Sequence, residues 1–150
     1  MSFSRGHSVQ VLSFLKPEEC AEHGGLPGVA IQGEFTDAER SVAGFRVNRA
    51  FVEFLHEVIR AAGPADPSMQ EAAKQQGEGW LYIIDLRTPE GPEGQVPAED
   101  IIGAFAVKAG KLVADSYSRN EGYRVLTKNG PVRLPPSLHD AMVRAALKRG

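Results

Sequence analysis

The stretch WLYIIDLRTPEGPEGQVPAEDIIGAFAVKAGKLV, from Trp80 to Val113, decides how this chain is read. Its two apolar segments, Trp80 to Arg87 and Asp100 to Lys108, are hydrophobic on both faces for much of their length. That pattern predicts two strands at central positions in a sheet covered on both sides. Between them lies TPEGPEGQVPAE, residues 88–99, whose prolines and glycines resist both helix and strand. A connection of about 12 residues without structure of its own is uncommon in a compact domain. It reads as a flexible loop that projects from the sheet end, serving as a lid, a contact arm or a plain surface insertion.

Downstream, Ala109-Gly110 turns the second strand into KLVADSYSR, and Asn129-Gly130 turns YRVLTK into PVRL. Two-residue turns fix a register in which Val107 opposes Leu112, Phe105 opposes Ala114, Thr127 opposes Val132 and Val125 opposes Leu134. One sheet face is then apolar. The other carries Lys108, Lys111, Asp115, Tyr117 and Arg119 from the first hairpin, and Arg124, Lys128 and Arg133 from the second.

Upstream, Val9 to Leu15 and Gly28 to Phe35 read as short strands, with a helix from Pro17 to the Gly24-Gly25 stop between them. Thr36 and Glu39 have capping-box spacing, but Gly44 interrupts the segment downstream of them, so residues 36–46 stay open between helix and loop. The clearest helix runs from about Asn48 to Ala62, where Phe51, Phe54, Leu55, Val58, Ile59 and Ala62 form one stripe. Asp66-Pro67 starts a more polar helix that Gly77 stops, and LHDAMVRAALK closes the chain with Leu138, Met142, Ala145 and Ala146 turned inward.

The expected fold is α+β: an N-terminal helical region with one or two short strands, an antiparallel meander of about five strands, and a C-terminal helix. The 150 residues suit a single globular domain, with residues 1–7 disordered. No run approaches the roughly 18 apolar residues of a membrane helix, so no membrane association is expected. Cys20 is the lone cysteine, which forbids an intrachain disulfide and makes a cytoplasmic location the default.

The net charge of -2 conceals a gradient. Residues 1–100 carry 8 Lys or Arg against 16 Asp or Glu, a balance of -8, and residues 101–150 carry 9 against 3, a balance of +6. Such polarity suits an anionic partner, or attraction between copies of the chain.

No phosphate-binding or nucleophile-elbow glycine motif is present. Cys20 and His23 in C-A-E-H are one pair where structural zinc needs about four ligands, so no metal or cofactor is expected. His56 lacks a second histidine four residues on and reads as a helix-flank residue. Asp85 and Arg87 share a strand face at the mouth of the loop, where they either bind a ligand or anchor the loop as an ion pair. Three readings of function remain. The leading one is non-catalytic binding to a protein partner or self-association as a homo-oligomer. The second is an anion or single-stranded nucleic-acid binder using Tyr117, Arg119 and Arg124. The third is a small enzyme built on Asp85, Arg87 and Tyr117 beneath the 88–99 loop.

Overall fold

The computed structural model describes residues 2–5, 9–24, 26–87 and 96–149. Its first sheet contains four antiparallel strands in the order β1-β2-β3-β4, namely Ser2–Arg5 (β1), Val9–Ser13 (β2), Ile31–Phe35 (β3) and Phe45–Val47 (β4). Four strands stand where one or two were expected. Part of the difference is β1, which lies in the segment expected to be disordered and pairs Phe3 with Val11. The rest is β4, which emerges from the ambiguous 36–46 segment. There the Asp37 carboxylate accepts the Ser41 N–H at 3.0 Å, and the Thr36 hydroxyl donates to the Gly44 carbonyl at 2.7 Å. These local bonds offer the backbone a turn in place of a helix.

Helix α1 (Pro17–His23) connects β2 to β3; the Glu19 carboxylate accepts the Lys16 N–H at 2.8 Å, and Gly24 ends the helix at φ 92°. Helix α2 (Arg49–Ala62) begins at Asn48, whose side-chain oxygen accepts the Ala50 N–H. The same side chain donates to the Ile31 carbonyl at 2.8 Å, so one residue both caps the helix and ties it to β3. The stripe read from the sequence is the buried one: Phe51, Phe54, Leu55 and Ile59 are almost wholly covered. Burying each such side chain contributes about 1.5–3 kcal/mol. Helix α3 (Pro67–Gln76) starts where Asp66 accepts the Met69 N–H at 3.0 Å.

The second sheet contains Gly79–Ile84 (β5), Ile101–Lys108 (β6), Lys111–Leu112 (β7) and Ser118–Arg119 (β8). β6 is the central strand; β5 pairs with one of its edges, and β7 and then β8 pair with the other. The strands Leu126–Thr127 (β9) and Gly130–Pro131 (β10) form a separate hairpin, and helix α4 (Pro136–Arg149) closes the chain. The α+β class therefore holds, but the five-strand meander is divided. The core draws Leu15 and Ala30 from the N-terminal region, the α2 stripe, Ile83, Ile102 and Phe105 from the second sheet, and Leu138, Met142 and Ala146 from α4. No helix among the described residues is long and apolar enough to cross a membrane.

Two registers depart from expectation, with different consequences. Val107 faces Leu112 as expected, across an Ala109-Gly110 turn with φ of 51° and 73°. Beyond it a 3-10 turn, Ala114–Ser116, ends the ladder, so Phe105 does not pair with Ala114. When pairing resumes, Gly103 faces Arg119, whereas an unbroken hairpin would place Ser116 there. The shift is three residues, an odd number, and it moves Tyr117 and Arg119 to the inner face. In the second hairpin Thr127 pairs with Gly130 instead of Val132, a shift of two, which preserves the sides. Val125, Thr127 and Leu134 are buried and Arg124, Lys128 and Arg133 exposed.

The third departure concerns β5. It is an edge strand, and Trp80, Tyr82 and the following Leu86 are 49%, 56% and 48% exposed. Only its other face, through Leu81 and Ile83, meets the core. Of the expected 88–99 loop, residues 88–95 lie outside the described residues, and Ala98–Asp100 forms a 3-10 turn leading into β6.

Candidate functional site

Three places bring chemistry-bearing residues together. The first lies where β5 ends. Asp85 and Arg87 are buried there with Asp100, a residue distant in sequence. Arg87 Nε donates to Asp100 Oδ1 at 2.8 Å, while its Nη groups donate to the carbonyls of Val125 at 2.9 Å, Glu99 at 3.1 Å and Arg124. Its ring neighbour is Tyr123, 5.3 Å from the guanidinium carbon. Asp85 Oδ1 accepts the N–H groups of Arg87 and Arg133, and Oδ2 accepts the Tyr123 hydroxyl at 2.6 Å. Burial pushes the Asp85 carboxyl above its usual range, opposed by the Tyr123 hydrogen bond and the Arg87 charge. Burial and the Asp85 charge likewise raise the Tyr123 phenol.

This arrangement is a tether. Arg87 spends its fork of donors on internal acceptors, joining β5, the 98–100 turn and the 124–130 segment. Of the three acids and bases at its centre, two are negative and one positive. Asp100 Oδ2 has no hydrogen-bond partner among the described residues.

The second place lies between α2 and β8. Arg119 grips Glu53 with two bonds of 2.7 Å each. The Tyr117 hydroxyl and His56 Nδ1 share a hydrogen bond of 2.6 Å, and the Tyr117 ring packs on Phe105 with its centroid 5.0 Å away. Gly103 is required beneath it, because a Cβ there would stand 2.6 Å from the Tyr117 hydroxyl. Burial lowers the His56 pKa to about 4, helped by the positive charges of Arg119 and Arg60 and opposed by Glu53. His56 is therefore neutral near pH 7. Burial also raises the Tyr117 phenol.

The third place is the outer face of the second sheet. Trp80, Tyr82, Ala104, Ser118 and Asn120 line a groove of about 380 Å³ there. Tyr82 pairs with Ala104 and Ala104 with Ser118, so an exposed aromatic row on β5 stands beside a floor of small residues. A larger hollow of about 520 Å³ near the start of α2 is bordered by Asn48, whose amide is already spent on the helix cap and the Ile31 carbonyl.

The residues singled out in the sequence thus separate. Asp85 and Arg87 meet each other, Tyr117 turns to His56, Arg119 to Glu53, and Arg124 is exposed, with its backbone engaged by Arg87 and Glu99. The phenol on Asp85 belongs to Tyr123. Sequence reasoning passed over Tyr123 and the pairing role of Asp100, whose positions carry no local signal. It also passed over the exposure of Trp80 and Tyr82, for which their alternation with Leu81 and Ile83 was the available sign. Cys20 is buried, and its thiol is raised by that burial and by the Glu19 charge. The described residues contain no group of three acids, histidines or cysteines placed to hold a metal. Comparison with known proteins finds no matching family model, no similar curated protein and no similar solved structure.

Proposed function

We propose that this protein works by binding another protein, without catalysis, through the outer face of the sheet formed by β5 to β8. One observation carries the reading: Trp80 and Tyr82 on the edge strand β5 are about half exposed beside the groove floored by Ala104 and Ser118, and Leu86, two residues past the end of the strand, is exposed to a similar degree. Contiguous apolar surface of this kind marks interaction sites, and aromatic side chains supply much of the energy at their centres. The two arginine–carboxylate clusters support the same reading, because Arg87 and Arg119 are both paired within the chain. A cytoplasmic setting accords with the single, buried thiol.

The anion-binding alternative draws less support. Its proposed platform divides between the inner face, where Arg119 is paired with Glu53, and a separate hairpin bearing Arg124.

A photo-crosslinking residue at Ser118, which is exposed on the outer face, tests the reading in the native host. The expected result is one dominant protein adduct that disappears in Trp80→Ser. Adducts that persist unchanged in Trp80→Ser would overturn it.

A further inference from the structure

Among the described residues, β5 has an open stretch whose ends are closed. At one end the Gln76 side-chain amide donates to the Trp80 carbonyl at 2.9 Å, and at the other the Leu86 N–H donates to the Arg133 carbonyl at 2.8 Å. Between them the ladder alternates. From Ile102 onward the even-numbered residues of β6 serve β7 and β8, since Ile102 and Ala106 accept from Asn120 and Val113, so Gly103, Phe105 and Val107 serve β5. Phe105 and Gly103 face Leu81 and Ile83, which leaves the Tyr82 N–H and C=O pointing away from the sheet. Tyr82 is the midpoint of the open stretch, residues 80–84.

We infer that the partner is a second copy of this chain, joined edge to edge in antiparallel fashion with a two-fold axis at Tyr82. This rests on the binding reading above and names its occupant. In that arrangement the two Tyr82 residues exchange their outward N–H and C=O groups, and the two sheets become one. Residues directly opposite each other share a face, so Trp80 of each copy stands beside Ile84 of the other, and the two aromatic rows merge.

Symmetry sets the antiparallel sense, because a two-fold through Tyr82 presents the same edge of each copy to the other. Charge does not choose it: Glu78 at the β5 start accepts the Ala109 N–H and lines a hollow with Lys74 and Lys111. Gln76 need not leave, because the Trp80 carbonyl has a second lone pair for an incoming N–H.

Sedimentation equilibrium over a wide concentration range, with amide hydrogen exchange on the same samples, tests this. A dimer is expected in which the Tyr82 amide exchanges more slowly as concentration rises, while the Leu81 and Ile83 amides, already bonded to β6, hardly change. Trp80 is the single tryptophan, so its quenching by acrylamide should fall in parallel. Tyr82→Pro removes an N–H that no β6 residue uses, and proline is tolerated at such an edge position; the dissociation constant should rise at least about tenfold. Trp80→Lys, checked by the same sedimentation, carries the test if the proline variant does not fold. A monomer at every concentration would overturn the inference, and the Ser118 crosslink would then decide separately whether the face binds a different protein. A dimer in which Tyr82 exchange does not depend on concentration would also overturn it, because the contact would lie elsewhere.

Discussion

Two arginines, Arg87 and Arg119, each hold a carboxylate, yet they do different work. Arg87 is 8% exposed and every group it meets is internal. Arg119 holds Glu53, an exposed residue of α2, in a bidentate pair open to water. A charge removed from water must be matched at once by its neighbours, whereas a charge left in water is matched already by solvent. The same residue type therefore acts as a structural tether in one place and as a surface contact in the other.

Removing the buried member should have the largest effect. Arg87→Met leaves Asp85 and Asp100 without their cation and strands the carbonyls of Val125 and Glu99. Breaking one partner out of a buried ionic network costs about 3–5 kcal/mol. Denaturant unfolding should show a loss of that order; a loss no greater than that of a surface substitution would mean the tether is not required.

How much of this was legible in sequence depended on distance along the chain. The α2 stripe, the Asp66 cap and the Ala109-Gly110 turn are local patterns, and all of them stand in the fold. The Arg87 network was only half legible. Asp85 lies two residues away, but Asp100, Tyr123 and Val125 reach the guanidinium through the topology alone. Tyr117 and Arg119 were placed on the wrong face because nothing in ADS announces a 3-10 turn, and three extra residues reverse the alternation. For β5, an apolar run shows that a strand suits a dry environment without showing which of its faces the chain covers.

The second prediction sharpens the comparison through pH. His56, beside the Arg119 cluster, has its pKa lowered from the ordinary 6.5 to about 4. Between those values the unfolded chain binds a proton that the folded one does not, so stability should rise with pH across that window. The contribution is complete above about 6.5 and lost toward about 4. The raised Asp85 carboxyl acts with the opposite sign, favouring the fold as pH falls. Comparing the pH profile of the native chain with that of His56→Gln isolates the histidine: the variant should show a shallower rise between pH 4 and 6.5. Identical slopes would show that His56 is protonated as readily in the fold as out of it.

The smallest effect should come from Arg119→Gln. The Arg119 hydrogen bonds and charge hold the Glu53 carboxyl below its usual range, so the pair is formed, but Glu53 lies in water and regains hydration when the pair is broken. Two long side chains also recover rotamer freedom. The unfolding midpoint should therefore change little, and less still at high salt, where screening weakens the native pair before it is removed. The informative readout is His56. Arg119 is one of the two positive charges that depress it, so Arg119→Gln should raise its pKa, as followed by the imidazole proton shift in an NMR titration. A pKa that rises while the midpoint stays fixed would show that this arginine shapes the field around α2 without holding the fold. A large loss of stability with no change at His56 would place Arg119 beside Arg87 as a second tether and erase the distinction between them.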